Sequence, residues 1–348
     1  MTRTGFRALG LLSGVTLLSS CTLMFPRPAP PVPSELPAPF VAAPLVATRF
    51  VAEQIAAEPV VTPAAPPAPA PSERSVRTAV VLSDAIPEYT QIAAELVRRG
   101  ADQVTVYYVS AQPGVDARVV AEIERADPDR IIAVGLPAAI LARRIPGKPM
   151  VFCQVYNYQD HDLVSATSRG VHLLPPFDLQ LEAWTRLAQN LLRIGVITGP
   201  GHDDLIAEMR RAVAAFDVAL TVRTVDSDQE TLLAFKELAP NIEGLWLLPD
   251  NRILSPDVVS EILAYGARHG TQVATFNDRM LESGALLSST SVPGDVVDRV
   301  LARFDDVDAD GRLAGPGMLR LTAVHTTVNY GVAARLGLKL PERLAQSR

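Results

Sequence analysis

Polar, glycine and aromatic residues directly follow short β-branched runs in this sequence, where their side chains could bind a small molecule. The carboxylates of Asp250 and Asp278 are acceptors suited to a ligand ammonium group. A helix beginning after Gly135, with Pro137 near its first turn, offers free N–H groups to a carboxylate. The pattern therefore predicts a site for an amino-acid-like molecule. The predicted ligand-binding residues are Ser83, Asp84, Gly135, Leu136, Pro137, Tyr156, Asn157, Asp250, Asn251, Phe276 and Asp278.

Each of these residues also has an ordinary structural interpretation. Tyr156 and Tyr158 are notable in a chain with only 5% aromatic residues, and rigid rings at a cleft can hold a planar ligand. One of them could equally pack on the end of a sheet. Asp250 and Asp278 could be N-caps of the helices that they precede. The sequence leaves these alternatives open.

Catalytic chemistry finds little support in the sequence. There is no G-x-S-x-G elbow, P-loop or G-x-G-x-x-G motif, and no histidine pair has metal-binding spacing. Cys153 and His161 could form a nucleophile and base, but a single thiol that ends an apolar strand is usually a buried small hydrophobe. We therefore expect a protein that is not an enzyme, with no catalytic residue, cofactor or metal.

The elements that must position these residues begin after Arg77. From there, short β-branched runs alternate with amphipathic helical stretches, which is typical of βαβ units and a parallel sheet. A first series of strands is predicted at 78–84, 104–109, 131–135 and 149–155, with helices at 87–99, 115–125 and 138–144. A second series has strands at 193–199, 219–225, 244–250 and 272–278, with helices at 178–192, 203–216, 229–238 and 256–269.

Two such series predict an α/β protein with two doubly wound, Rossmann-like parallel-sheet domains. Open parallel sheets bind ligands at the carboxyl ends of their strands. Two domains that face each other can enclose a small molecule in a cleft that a hinge closes.

The N-terminal region predicts export and anchoring. A basic leader carries Arg3 and Arg7, an apolar run covers Ala8 to Leu18, and Leu18-Ser19-Ser20-Cys21 resembles the lipobox of bacterial lipoproteins. An ordinary secretory signal with a chance cysteine is the alternative. We expect a signal peptide at 1–20, lipidation of Cys21, and a Pro/Ala-rich linker at 21–76 that behaves as a semi-rigid spacer. The protein would then be membrane-anchored on the periplasmic side of the bacterial cell envelope.

Three stretches carry a resemblance to a known family: "GVHLLPPFDLQLEAWTRLAQNLLRIGVITGPGHDDL", "GLWLLPDNRILSPDVVSEILAYGARHGTQVATFNDRMLESGALLS" and "VNYGVAARLGLKLP". They resemble the ABC transporter substrate-binding proteins of the tryptophan- and tyrosine-binding type, which have a type 1 periplasmic-binding fold. The chain departs from that pattern at "CQVYNYQDHDL" and "SVPGDVV", so the resemblance does not identify the ligand.

The resemblance also implies hinge crossovers. A strand at 285–289 and a helix at 292–304 would complete the first lobe, while a helix near 328–336 would return to the second. The implied ligand-binding lobes are 77–176 plus about 285–310, and 177–284 plus about 320–340. An ABC permease would be the partner, and a monomer is expected.

Composition narrows the partners further. The net charge is -6 and no run is rich in Lys and Arg, so nucleic-acid binding is not expected. Cys153 is the second of two cysteines, so a chain lipidated at Cys21 would have no internal disulfide. The long Pro/Ala segment supports one alternative function, an envelope lipoprotein of the same fold that acts as a regulatory or interaction protein without transport.

Overall fold

A computed structural model describes residues 75–99, 103–109 and 113–338. Within these residues the strands form two six-stranded sheets. The first sheet contains β1 (Arg77–Leu82), β2 (Gln103–Tyr108), β3 (Arg130–Val134), β4 (Met150–Cys153), β5 (Ser168–Val171) and β11 (Met318–Leu319). The second sheet contains β6 (Arg193–Thr198), β7 (Ala219–Thr224), β8 (Gly244–Trp246), β9 (Gln272–Thr275), β10 (Leu287–Thr290) and β12 (His325–Val328).

Both sheets are dominated by parallel pairing. The first has the order β11-β5-β4-β3-β1-β2, and its neighbouring strands are all parallel. The second has the order β12-β10-β9-β8-β6-β7, with β12 antiparallel to β10. The predicted α/β class with two parallel-dominated sheets flanked by helices is therefore confirmed.

Helices connect the strands and cover both faces of each sheet. They are α1 (Pro87–Arg99), α2 (Pro113–Ala126), α3 (Leu136–Ala142), α4 (Phe177–Leu187), α5 (Asp203–Ala214), α6 (Asp228–Leu238), α7 (Pro256–His269), α8 (Arg279–Glu282), α9 (Pro293–Ala302) and α10 (Tyr330–Arg335). Helices α1 and α7 have the predicted bounds. Ser255 accepts a hydrogen bond from the Val258 N–H at the start of α7, and Gly270 ends it at a φ of 74°.

Alternating side chains on each strand serve two cores. On β1, Val81 packs with the core beneath α2 and α3, whereas Val80 and Leu82 pack with the core beneath α1 and α9. This period of two explains why the strands are nearly continuous apolar runs, since both faces of a parallel sheet are covered by helices. The second sheet likewise has one core beneath α4 and α5 and another beneath α6 and α7.

The strand predicted at 285–289 lies in the other sheet from the one expected. As β10 it pairs with β9, Leu287 opposite Ala274, so the prediction that it completes the first lobe is wrong. After α8 the chain turns at Gly284, whose φ is 113°, and returns beside β9. There Leu286 and Leu287 are buried in the core beneath α4 and α5. Helix α9 does pack against α1, so the crossover follows the strand instead of preceding it.

We call the first sheet with its helices lobe 1 and the second sheet with its helices lobe 2. Both belong to one compact unit, which contains all of the described residues. The predicted signal peptide, Cys21 and most of the linker lie outside the described residues. Among the described helices, none combines the length and the apolar character needed to cross a bilayer.

Candidate functional site

Polar side chains from both lobes meet where the strands end, in a cluster that we call the interlobe bridge. Asn157 follows β4 of lobe 1 and is buried. Its Nδ2 donates to Asp250 Oδ1 (3.2 Å) and to Asn251 Oδ1 (3.1 Å), and its Oδ1 lies 3.1 Å from His202 Nε2. The bridge consists of Asn157, Asp160, His202, Asp250, Asn251 and Arg252.

Asp250 is the fully buried centre of the bridge. It accepts hydrogen bonds from the Gly199 N–H (3.0 Å) and from Arg252 Nε (2.9 Å) and Nη2 (2.7 Å). Burial favours a higher pKa for Asp250, but the hydrogen bonds from Arg252, His202 and Asn157 outweigh it and hold that pKa far below its usual range. A side chain on Gly199 would collide with Asp250, so glycine is required there.

Arg252 links the buried carboxylate to lobe 1. Its Nη1 donates to Asp160 Oδ2 across the lobes (3.1 Å), and its Nη2 donates to the Pro200 carbonyl oxygen (3.0 Å). The Nη2 atom also lies 2.8 Å from His202 Nε2.

Tyr156 packs beside the bridge. Its ring centroid lies 4.6 Å from that of His202. The hydroxyl is buried near Thr198, whose own hydroxyl donates to the Gly199 carbonyl oxygen, and it makes no hydrogen bond of ordinary geometry within the described structure. Burial, and then the charge of Asp250, raises the pKa of Tyr156. Tyr156 therefore packs against the bridge without belonging to it, and its hydroxyl is unpaired within the described residues.

A cavity of about 620 Å³ lies between the lobes, and we call it the first cavity. The predicted residues Phe276 and Asp278, which follow β9, form part of its wall. Lobe 1 contributes Tyr89 of α1 and Gln154, which follows β4. The crossover segments contribute Leu173, Leu174, Pro175, Ser291 and Val292.

Two features of the first cavity make it a candidate binding site. Ser289 of β10 has a buried hydroxyl without a hydrogen-bond partner among the described residues. Gln154 has a φ of 58°, which is uncommon for a residue other than glycine, and its Nε2 donates to Ser291 Oγ (3.0 Å). Unpaired buried polar groups and unusual backbone angles concentrate at functional sites.

A second cavity of about 900 Å³ borders the bridge at His202. Tyr156 and His202 are in its wall, together with Tyr158 and His172. The salt bridge between Arg320, which follows β11, and Glu208 of α5 crosses from lobe 1 to lobe 2 there (2.8 Å). The second cavity thus also lies between the lobes.

Comparison with known proteins identifies the fold. No protein-family model and no curated protein matches this chain. The structure of the ABC domain in complex with L-Trp from Streptococcus pneumonia matches with a TM-score of 0.55 at 16% identity, over 78% of this chain and 98% of that one. The ligand-free, open structure of a substrate binding protein with adhesive properties from Clostridium difficile matches with a TM-score of 0.56 at 14% identity, over 77% and 96%. The chain has the type 1 periplasmic-binding fold.

Within this periplasmic-binding fold, the predicted ligand-binding residues that follow β1 and β3 lie outside both cavities. Ser83 Oγ accepts the Ala138 N–H of α3 (2.9 Å), and Asp84 accepts the Ala85 N–H (2.6 Å). Gly135 has a φ of 87°, and Ser83 and Tyr89 fill the space that a side chain there would need. Leu136 and Pro137 begin α3, and neither they nor Gly135 line the first or second cavity.

Asp278 and Cys153 also have definite surroundings. The Asp278 carboxylate makes no capping hydrogen bond to α8 and lies 3.5 Å from Thr327 Oγ1. Cys153 is fully buried among aliphatic side chains such as Val80 and Val151, and burial raises its thiol pKa to about 12. A thiol with that pKa supplies almost no thiolate at neutral pH.

Sequence reasoning did not single out Arg252 or Ser289 as ligand-binding residues. Arg252 directly follows the two predicted residues Asp250 and Asn251, so its position after β8 was the available signal. Ser289 gives no comparable local signal, because its importance depends on β10 lying beside β12 in the second sheet.

Proposed function

We propose that this protein is an exported solute receptor that binds a small, amino-acid-like molecule between its lobes and delivers it to an ABC permease. One observation carries the proposal: residues from both lobes and from the crossover segments enclose the first cavity. A ligand that touches both lobes favours their closed arrangement, and closure is what a permease could recognise.

The size and chemistry of the first cavity suit a metabolite. About 620 Å³ is within the usual range of roughly 300–1,000 Å³ for small-molecule sites. Phe276 offers an aromatic ring and Ser289 an unpaired hydroxyl. Asp278 on the wall supplies a negative charge for a ligand ammonium group. The bound L-Trp of the pneumococcal protein agrees with this class of ligand.

Export and anchoring complete the proposal. The leader and the Leu18-Ser19-Ser20-Cys21 motif support a mature chain that begins at a lipidated Cys21, on the periplasmic side of the envelope. Mass spectrometry of the mature N-terminus should find acyl chains on Cys21. No catalytic step is part of the proposed function.

A thermal-unfolding screen with the twenty L-amino acids and related metabolites tests the binding role. The true ligand should raise the melting temperature in a saturable way, equivalent to about 2.7 kcal/mol of stability when its concentration is 100 times Kd. Calorimetry should then give a stoichiometry of one. If nothing in the screen stabilises the protein, the amino-acid-like ligand is contradicted.

Matched variants locate the site. Phe276→Leu keeps apolar bulk but removes the ring, so affinity should fall about threefold to tenfold if the ring contacts the ligand. Leu233→Ala is the control, because Leu233 lies on α6 and is 62% exposed. Equal affinities for the two variants would place the ligand outside the first cavity.

A further inference from the structure

In the interlobe bridge, the Arg252 guanidinium makes more hydrogen bonds to lobe 2 than to lobe 1. On the lobe 2 side, the Arg252 guanidinium has two hydrogen bonds to Asp250 and one to the Pro200 carbonyl oxygen. On the lobe 1 side, it has a single hydrogen bond to Asp160. Separating the lobes at this point therefore breaks the Asp160 contact while Arg252 stays bound to Asp250.

Asp160 is the more easily released partner. It lies on a 3₁₀ turn, Tyr158–His161, and its side chain is 42% exposed. Among the described residues, its carboxylate has no hydrogen bond or ion pair other than the one to Arg252. Partly exposed ion pairs of this kind contribute little to stability, so replacing Asp160 costs little. Asp250, by contrast, is fully buried, and its loss would leave a charge uncompensated.

We propose that Asp160 is an internal substitute for the ligand's carboxylate, and that the ligand displaces it from Arg252. The inference rests on the proposed function and deepens it by assigning a carboxylate to the ligand and a receptor to that carboxylate. A ligand carboxylate can accept the single Arg252 Nη1 hydrogen bond that Asp160 now accepts, so the exchange conserves both charge and hydrogen bonding. Arg252 becomes a specificity-determining residue.

The bridge is placed so that such an exchange involves the cavities. Pro249, immediately before Asp250, is in the wall of the first cavity, while His202 is in the wall of the second. In the structure, the contacts of Asn157 and Asp160 with lobe 2 close the space around Arg252. Release of Asp160 would open it to a ligand that extends from Arg252 toward the first cavity, whose wall begins at Pro249.

The test compares L-amino acids with their C-terminal amides, which lack the carboxylate, on wild-type protein, Asp160→Asn and Asp162→Asn. Asp162→Asn is the matched control, because it removes a carboxylate from the same loop, and asparagine tolerates the positive φ of 48° found there. Calorimetry should show affinity for the stabilising amino acid rising about threefold to tenfold in Asp160→Asn and unchanged in Asp162→Asn. The amide should bind at least tenfold more weakly than the acid to wild-type protein.

Arg252→Gln gives the opposite sign, with at least a tenfold loss for the acid and little further loss for the amide. Unchanged or weaker binding of the acid by Asp160→Asn would overturn the role of Asp160. Equal binding of acid and amide by wild-type protein would overturn the carboxylate assignment. Absence of any binding by wild-type protein and Asp160→Asn alike would instead reject the proposed function itself, and this inference with it.

Discussion

The interlobe bridge and the first cavity both lie between the lobes, but they differ in whether their buried polar groups have hydrogen-bond partners. In the bridge, Asn157, Asp250 and Arg252 bond to one another. In the first cavity, Ser289 keeps a buried hydroxyl without a partner in the described structure. The bridge is thus internally satisfied, whereas the cavity holds a group that a ligand could satisfy.

This contrast distinguishes two roles, holding the lobes together and binding a ligand, for residues at similar positions in the sequence. Both regions consist of residues that follow parallel strands, where the strand-end rule predicts a binding site. A satisfied polar network holds the lobes in one arrangement, because breaking it leaves buried groups unpaired. An unpaired polar group in a cavity wall contributes no such stability, but it gains a hydrogen-bond partner when a ligand binds. Stability and binding measurements should therefore respond differently to changes in the two regions.

The largest effect is expected from Asp250→Ala in the bridge. The change leaves the Arg252 guanidinium without its main partner and unpairs the Gly199 N–H, so the free energy of unfolding should fall by about 3–5 kcal/mol. Urea unfolding measures it. Asp226→Ala, which removes an exposed carboxylate from lobe 2, is the control. A loss below 1 kcal/mol would show that the bridge contributes little to stability.

An intermediate effect is expected at His172, in the wall of the second cavity. Burial, and then the charges of Arg320 and Arg303, lowers its pKa from 6.5 to about 4. The unfolded state therefore binds the proton more readily, so the stability due to neutral His172 is complete above about pH 6.5 and is lost progressively as the pH falls from about 6.5 to about 4. Between pH 7 and pH 4, this loss amounts to about 2–3 kcal/mol.

Denaturant unfolding at several pH values checks the His172 prediction. His172→Gln cannot take up the proton, so its stability should fall less than that of the wild type over the same interval, by the amount given above. The carboxylates titrate equally in both proteins, so their contributions to the pH dependence cancel in the difference. Parallel pH profiles for the two proteins would refute the assignment.

The smallest effect on stability is expected from Ser289→Ala in the first cavity. Removing a buried hydroxyl that has no partner should leave the free energy of unfolding unchanged or raise it by up to about 1 kcal/mol. Ligand affinity should fall about threefold to tenfold, because one neutral hydrogen bond is lost. Thermal unfolding with and without the ligand measures both quantities. A destabilised variant would mean that the hydroxyl is paired in the folded protein.

Local sequence patterns determined most of the secondary structure. Helix α7 has Ser255 before its first residue, Pro256 at its start and Gly270 after its end, which are start and stop signals within the helix's own neighbourhood. Helix α4 ends at Leu187, whereas the sequence predicts that it reaches Leu192. The prediction runs too far because Ala188 and Leu191 are also buried, so the apolar pattern continues beyond the last helical turn.

The candidate site could be predicted only in part. Phe276 and Asp278 lie in the first cavity, and Asn157 and Asp250 come together in the bridge. The strand-end rule finds such residues because it needs only the strand boundaries. It cannot tell which of them bond to each other, since Asn157 and Asp250 are 93 positions apart and their contact depends on how the lobes meet.

By itself, the sequence determined two series of β-strands and helices and the residues at their ends, because the hydrophobic period and the capping residues act over a few positions. The tertiary structure alone decided that β10 joins the second sheet, that Arg252 faces Asp160, and that Ser289 remains unpaired. Each of these depends on contacts between segments far apart in the chain, and such contacts are selected by the packing of whole sheets and lobes.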